Sequence, residues 1–476
     1  MGRINQSSES LESGIVPSPT TVETTSAHIG SGADPLTTED ISRARDRLAV
    51  AKARGGGQAH KPWRWMRLLW LLAGPGVLVF LGENDAPSML SYAATGSQFG
   101  IGFFLPFILL TFLAAWVVQE MTVRLGAVTH RGHAELIFDR FGPFWGFFSM
   151  ADLMLGNFLT LVTEFIGIRA GLGYFGIPAL AAVGGAITLI LAVTMTRRYW
   201  TWERILLGLA MFNGLFIPVA LMSHPNWHAV GHAFIAFGPL PGGLGSQNIL
   251  LMMADIGATV TPWMLFFQQG ATTDKGMQPR DVGFGRWDTS IGTLLAAIFG
   301  MAVVLATVPL YTHGISTENY QGAQFAQALQ PYVGKLGSSF FALGLVEAGL
   351  VAAISISTSS GYAFGEVMHR AHSLNRSLKD AWPFYLTLLG SAIAAGAIVL
   401  IPHAPLEFIV LIVNVIAVLA MPPALLFLLL LVNDRAVMGD RVNGLWLNIA
   451  GITVTVLLIM AGLGYGVTTL FPQLLS

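Results

Sequence analysis

Eleven stretches of mainly apolar residues run through the chain. Each is long enough to cross a lipid bilayer, which takes about 20 residues of α-helix. Hydrophobic residues make up 54% of the sequence and charged residues 11%, whereas a soluble domain has roughly 25% charged residues. The sequence therefore predicts an all-α polytopic membrane protein whose partner is the bilayer. The predicted spans are 68–97, 101–121, 144–167, 179–196, 205–222, 247–269, 289–311, 338–364, 383–402, 406–432 and 444–471.

Lys and Arg residues are unevenly divided between the predicted loops. The segment just before span 1 and the loops after spans 2, 4, 6, 8 and 10 carry two or three of them each, whereas the other loops carry Arg169 and Lys335 alone. Short cytosolic loops are enriched in these residues. The pattern predicts a multi-pass protein of the cell membrane with a cytoplasmic N-terminus, and the odd number of spans places the C-terminus outside.

Residues 1–60 differ in composition from the rest of the chain. They are rich in Ser, Thr, Glu, Gly and Pro and end near three consecutive glycines. Such a segment has too little apolar surface to offset its conformational entropy, which predicts a disordered cytosolic tail before a transmembrane domain at 61–476. The net charge of −1 and the absence of cysteine argue against a nucleic-acid partner, disulfides and thiolate ligands.

The first span contains a polar interruption. Glu83, Asn84 and Asp85 follow an apolar run and precede Pro87, which lacks a backbone N–H and disfavours α geometry at the residue before it. The sequence predicts that the helix unwinds over Gly82–Ser88. Carbonyl groups freed in this way cannot face lipid, so they line a protein cavity or bind a ligand.

The sixth span is interrupted in the same way, between Gly257 and Pro262. Each break lies in the first helix of a five-span block, and an odd number of spans gives the blocks opposite topology. The predicted repeats are 66–222 and 247–432, followed by an eleventh helix at 444–471. Paired broken helices in corresponding places indicate a transporter with a substrate site near the middle of the membrane.

The side chains at the breaks offer oxygen donors from a carboxylate, an amide and hydroxyl groups. These belong to Asp85, Asn84, Ser88 and Thr261. Hard cations such as Mg²⁺ prefer oxygen ligands, whereas Glu83 and Asp85 would repel the carboxylate of an amino acid. The sequence therefore predicts a site for a divalent cation, which is the substrate, with no cofactor. It contains neither a P-loop motif nor a Ser/His pairing or His-rich zinc motif in the spans, so an enzyme is not predicted.

Six short motifs, in this order along the chain, resemble those of the Nramp divalent-metal transporters over residues 66–471. The resemblance implies the LeuT-type fold, an inverted repeat of five and five helices, with an eleventh transmembrane helix added. The motifs are GPGVLVFLGENDAPS, LGAVTHRGHAEL, TEFIG, IGATVTPWMLFFQQ, STSSGYAFGE and NDRAVMG.

The resemblance also implies a set of ligands. Asp85 matches the family's metal-binding aspartate, and Ser88 stands where the family has asparagine. Ala258 matches a position whose backbone carbonyl binds metal. Thr261 occupies the place of a methionine, with Asn84 beside Asp85 as an added oxygen donor.

At other positions near the predicted site, some residues match the family and others differ from it. Glu164 matches a glutamate that the family associates with proton movement, while Leu161 replaces an aspartate there. Trp263 and Gln268 stand in place of two histidines, and Asn414 in place of a glutamine. Glu164, Gln268 and Asn414 are therefore expected in a second shell or along the ion pathway.

These departures favour Mg²⁺ as the substrate, with Mn²⁺ as a second one. A thioether prefers softer metals than Mg²⁺, and the Thr261 hydroxyl removes that preference. Nramp-related magnesium transporters depart from the parent family in the same way. The lost histidines and aspartate argue against proton coupling. The alternatives are a proton-coupled Mn²⁺ or Fe²⁺ importer and an organic-solute carrier, such as an amino-acid carrier, of the same fold.

The sequence also predicts roles for polar residues outside this set of ligands. Glu83 and Asp255 are expected to attract the cation or form part of its pathway, and Asp255 alternatively pairs with a Thr or the backbone. Glu120 and Glu347 are expected to be structural. His133 is predicted to lie in a solvated cytosolic loop. The sequence leaves the oligomeric state open.

Overall fold

The computed structural model describes residues 73–470, with gaps at 242, 244, 319, 321 and 403–405. Within these residues the secondary structure is helical, with no strand. The predicted tail at 1–60 and the start of the first predicted span lie outside them.

Seventeen α-helices follow one another along the described chain. Their bounds are α1 Pro75–Glu83, α2 Ala86–Phe99, α3 Phe104–Thr129, α4 His133–Phe141, α5 Pro143–Tyr174, α6 Ala179–Thr194, α7 Tyr199–Ala210, α8 Phe216–Met222, α9 Trp227–Ala236, α10 Ser246–Gly257, α11 Pro262–Asp274, α12 Val282–Thr312, α13 Gly322–Val367, α14 Trp382–Val399, α15 Leu406–Asn433, α16 Arg435–Met438 and α17 Leu445–Leu470.

Every predicted span corresponds to helical structure. Nine segments of the described chain are long and apolar enough to cross a membrane, and α6 is a shorter apolar helix. The first span is divided into α1 and α2, and the sixth into α10 and α11. Helices α4 and α9 were not predicted, because nine or ten residues are too few to register as a span.

The first break is narrower than predicted. Helix α1 continues through Glu83 and α2 begins at Ala86, so the interruption is confined to Asn84 and Asp85. Pro87 lies in the first turn of α2, where a helix does not use the backbone N–H. The extended residue is therefore Asp85, with φ −77° and ψ 173°, rather than Ala86.

The broken helices lie at the centre of the bundle. Every residue of α1 is buried, as is every residue of α11. They pack against α12, α3 and α13. By contrast, α17 exposes large apolar side chains such as Leu445 and Trp446, which is the surface that a lipid-facing helix presents. The fold thus places both breaks inside protein, away from that surface.

The prediction for His133 is wrong. This residue is the first of α4 and is fully buried, with its Nδ1 3.0 Å from Oε1 of Gln269 on α11. Burial lowers the pKa of His133 to about 4, because a charged imidazole loses its hydration there. The sequence interpretation missed α4, whose folding against α11 removes this histidine from solvent.

Candidate metal-ion site

The two breaks meet inside the bundle. The Thr261 hydroxyl, at the start of α11, donates a hydrogen bond of 2.7 Å to Oε2 of Glu83, at the end of α1. The Tyr92 hydroxyl on α2 donates one of 3.1 Å to the Ala258 carbonyl in the second break. Residues about 170 positions apart in the chain thus form one polar centre.

At the first break, backbone amides donate hydrogen bonds to carboxylates. Asp85 caps α2 by accepting a 2.8 Å hydrogen bond from the Ser88 amide. The Ala86 amide donates to Oε2 of Glu164 on α5 at 3.1 Å, and Pro87 has no N–H. These are the amides that would otherwise bond the carbonyls at the end of α1. Those carbonyls therefore lose their helical donors, as the sequence predicts.

Glycine on α5 allows Glu164 to reach the break. A Cβ atom added to Gly167 would lie 2.1 Å from the Cβ of Ala86, so any larger residue would push α5 away from α2. Glu164 is fully buried one turn before Gly167. The close approach brings its carboxylate to the peptide beside Asp85.

Several buried oxygen atoms at the first break accept no hydrogen bond from the described residues. The Asn84 amide nitrogen donates to the Ala296 carbonyl at 3.0 Å, which leaves its Oδ1 without a partner. The set comprises Oε1 of Glu83, Oδ1 of Asn84, Oγ of Ser88 and Oε1 of Glu164. Buried polar atoms are costly without a partner, so this centre suits a bound cation.

The second break has four residues, Ala258–Thr261, and carries no charge. Helix α10 ends at Gly257, where a Cβ atom would lie 2.1 Å from the Asn414 carbonyl of α15. The Asn414 amide donates to the Ser91 hydroxyl on α2 at 3.0 Å. Asn414 therefore ties α15 to the helix that follows the first break.

Two more of the predicted residues have partners of their own. Asp255 accepts a 2.9 Å hydrogen bond from the Thr95 hydroxyl, which is the pairing interpretation of this residue. Gln268 donates to the Thr289 hydroxyl at 3.1 Å and lies about two turns beyond the break on α11. The structure thus brings Glu83, Glu164 and the predicted ligands together. Asp255, Asn414 and Gln268 bond to neighbouring helices, and Oδ1 of Asp255 and Oε1 of Gln268 accept no hydrogen bond from the described residues.

A model of the natural resistance-associated macrophage protein-like family, Nramp, matches residues 76–468. The chain belongs to the Nramp family. A relative named divalent metal cation transporter MntH, from Listeria welshimeri, is 25% identical over an alignment of 452 positions, which covers 91% of this chain and 98% of the relative.

Solved structures confirm the predicted fold class. The Eremococcus coleocola manganese transporter superposes with a TM-score of 0.66 at 21% identity, over 86% of this chain and 89% of that one. MhsT, solved in complex with L-phenylalanine, gives a TM-score of 0.51 at 16% identity, over 83% and 98% of the two chains. These likenesses establish the LeuT-type architecture, while the exact bounds of the two repeats stay a prediction.

The donor set of this Nramp chain consists of oxygen atoms. Among the described residues no group of three or more His, Asp or Glu side chains is arranged to hold one metal ion. Trp263, at a histidine position of the resemblance, is buried, and its ring lies against Gly82. The break therefore offers carboxylate, amide, hydroxyl and carbonyl oxygens, without the sulfur or imidazole ligands that softer metals prefer.

Tyr92 was missed by the sequence interpretation. It lies about two turns after Asp85 on α2, and is fully buried. A tyrosine on the same face as a predicted ligand is a signal that sequence reasoning could have used, because residues seven apart share a helix face.

Proposed function

We propose that this Nramp chain is a divalent metal cation transporter that carries Mg²⁺, with Mn²⁺ as a second substrate, by alternating access around the two breaks. The observation that carries the proposal is the hydrogen bond from Thr261 to Glu83, which joins the second break to the first, beside Asp85, in one buried and oxygen-lined centre. Discontinuous helices whose broken ends face each other near the middle of a bundle are a recurrent design for such transporters.

Relatives support the divalent cation as substrate. The Listeria welshimeri relative is named a divalent metal cation transporter, and the Eremococcus coleocola protein a manganese transporter. Asp85 supplies a charged oxygen at the N-terminus of α2 and Glu83 a second one across the break. Two carboxylates balance the two charges of the ion, and no described Lys or Arg forms an ion pair with either.

The preference for Mg²⁺ rests on Thr261. Mg²⁺ binds through one or two carboxylates and keeps several of its waters. The Thr261 hydroxyl donates its hydrogen bond to Glu83, so the lone pairs of the hydroxyl oxygen remain available to a cation or to its hydration water. A methionine in this place would offer a thioether, which contributes little to Mg²⁺.

We further propose that the membrane potential drives uptake without an obligatory proton. Each positive charge that moves inward gains about 2.3 kcal/mol per 100 mV. Leu161, Trp263 and Gln268 provide no titratable group at the positions where the resemblance implies aspartate and histidine. With the N-terminus in the cytoplasm, as the sequence predicts, transport from outside to inside is uptake into the cell.

Metal-selective uptake into proteoliposomes tests this function. Wild-type protein is expected to carry both Mg²⁺ and Mn²⁺ with no change in internal pH, and Thr261→Met is expected to shift the preference toward Mn²⁺ by about tenfold, the equivalent of about 1.4 kcal/mol. Thr188→Met, on the exposed face of α6, is the matched control and should behave as wild type.

Two results would contradict the proposal. Mn²⁺ uptake with acidification and no Mg²⁺ uptake would establish the proton-coupled Mn²⁺ or Fe²⁺ importer. Binding calorimetry that detects an amino acid but no metal, with Asp85→Ala leaving that binding intact, would establish an organic-solute carrier.

A further inference from the structure

A second buried polar cluster lies behind the first break, on the side of α7, α8 and α13. Asn213 belongs to a 3₁₀ turn, Met211–Leu215, that interrupts the fifth span between α7 and α8. Glu347 lies on α13. A 3₁₀ turn within a longer helix often marks a functional position, and this one presents Asn213 to the end of α1.

Asn213 connects three elements. Its amide nitrogen donates to Oε1 of Glu347 at 3.1 Å and, more weakly, to the Leu81 carbonyl at 3.4 Å. In an uninterrupted helix the Leu81 carbonyl would accept from the amide of Asp85, but Asp85 lies in the break. The break therefore leaves this carbonyl with only the weak bond from Asn213, so it has a lone pair to offer as a third oxygen beside the two side chains.

Two oxygen atoms of the cluster accept no hydrogen bond from the described residues. These are Oδ1 of Asn213 and Oε2 of Glu347. Asn213 is 0% exposed and Glu347 is 6% exposed. Both atoms are acceptors, so the cluster lacks a positively charged or hydrogen-donating partner rather than another acceptor.

The charge of Glu347 also lacks a partner within the described chain. The ion pairs there engage Glu120, Glu135, Asp139, Glu203 and Asp434, and none engages Glu347. Glu120, the other glutamate predicted to be structural, is paired with Arg124 and Arg286. An ionised carboxylate inside a membrane protein needs a counter-charge, and Glu347 obtains none from the protein.

We propose that Glu347, Asn213 and the Leu81 carbonyl form a second cation site, which takes a monovalent alkali cation such as Na⁺. The donors are hard oxygens, which suit an alkali cation. The single carboxylate balances one positive charge, whereas a divalent ion would leave an uncompensated charge. The bound cation joins α1 to α13 and to the 3₁₀ turn, one turn from Asp85, and so holds the first break in its binding geometry.

Thermal unfolding of the purified full-length protein tests the site without any divalent metal present. NaCl is compared with choline chloride at the same ionic strength and pH. A ligand that binds the folded state raises Tm with its concentration, so wild-type protein should show a saturable rise in Tm with Na⁺. Glu347→Gln, which keeps the shape and removes the charge, should lose that response. Binding of radioactive sodium to wild-type protein is measured in parallel and needs no variant.

Glu366→Gln is the matched control, because Glu366 is a buried glutamate on the same helix that accepts hydrogen bonds from the amides of α4. The Glu366→Gln variant should show the same rise in Tm with Na⁺ as wild type, even if its Tm without Na⁺ differs. A Na⁺ response that persists in Glu347→Gln would overturn the proposal, as would wild-type protein that neither binds sodium nor gains stability from it. A Tm that follows pH and ignores Na⁺ would identify a proton in place of the cation and would also overturn it.

Discussion

The two breaks occupy corresponding places in the inverted repeats but are built differently. The first has two residues, Asn84 and Asp85, and its amides are capped by the carboxylates of Asp85 and Glu164. The second has four residues and no charge, and Thr261 makes no capping hydrogen bond to α11. Its carbonyl at Ala258 is held by the Tyr92 hydroxyl from the other repeat.

This difference separates two roles. The first break supplies the negative charge that a cation requires, and its shape is fixed by groups that also carry that charge. The second supplies a hydroxyl and backbone carbonyls, and its shape is fixed from outside by Tyr92 and by the close approach of Asn414 to Gly257. Substitutions at the first break should therefore affect whether a cation binds, and those at the second should affect which cation binds.

The largest effect is expected for Asp85→Asn. Asparagine can still cap α2, so the variant removes the charge while it keeps the local structure. Loss of residues that merely support a metal ligand costs roughly 10–100-fold in affinity, so loss of a ligand charge should weaken Mn²⁺ binding by about 100-fold or more in calorimetry.

Asp152→Asn controls for removal of a carboxylate on a neighbouring helix, because Asp152 is a half-buried residue of α5 about three turns before Glu164. It should bind Mn²⁺ as wild type does. Equal affinity of wild type and Asp85→Asn would contradict the proposed difference between the two breaks, since the charge of the first break would then have no part in binding.

A smaller effect is expected for Tyr92→Phe. The variant removes the hydrogen bond to the Ala258 carbonyl, which contributes about 1 kcal/mol, and should weaken Mn²⁺ binding by about fivefold. Tyr385→Phe removes a comparable bond to the Arg376 carbonyl and should leave binding unchanged. A loss as large as that of Asp85→Asn would show that geometry, and not charge, dominates the site.

The smallest effect on binding is expected for His133, which contacts the middle of α11 through Gln269 and Phe266. The folded-state pKa of about 4 lies below the usual 6.5 or so of an unfolded chain. Between these values the unfolded state binds the extra proton, so stability falls as pH falls, by up to about 1.4 kcal/mol per pH unit. Above about pH 6.5 the contribution is fully present.

Thermal unfolding between pH 7 and pH 5 measures this effect. His133→Gln should have a shallower fall in Tm than wild type, with Mn²⁺ affinity at pH 7 unchanged within about twofold. An identical fall in both proteins would show that folding does not shift the pKa of His133, and an altered affinity would connect the second break to α4.

The sequence predicted correctly those features that depend on the backbone geometry of single residues. Gly257 and Pro262 bound the second break as predicted, because the conformational limits of glycine and proline act locally. The predicted length of the first break was too great, because Asp85 caps α2 and lets the helix begin at Ala86. Such a cap depends on the side-chain rotamer and the backbone conformation together.

Contacts between residues far apart in the chain were not predicted from the sequence. The bonds from Thr261 to Glu83 and from Tyr92 to Ala258 join residues of different repeats. The burial of His133 depends on how α4 packs against α11. None of these is encoded in periodicity or composition, which report on one element at a time. The resemblance to Nramp supplied the ligand positions but not these partners.

One cation is expected to bind between the two breaks. Crystals of the wild-type protein soaked in Mn²⁺ and measured at the manganese absorption edge give its position directly. We expect one dominant anomalous peak in contact with the Asp85 carboxylate and within reach of the Thr261 hydroxyl and the Ala258 carbonyl. A dominant peak elsewhere, or no peak between the breaks at a saturating Mn²⁺ concentration, would contradict it.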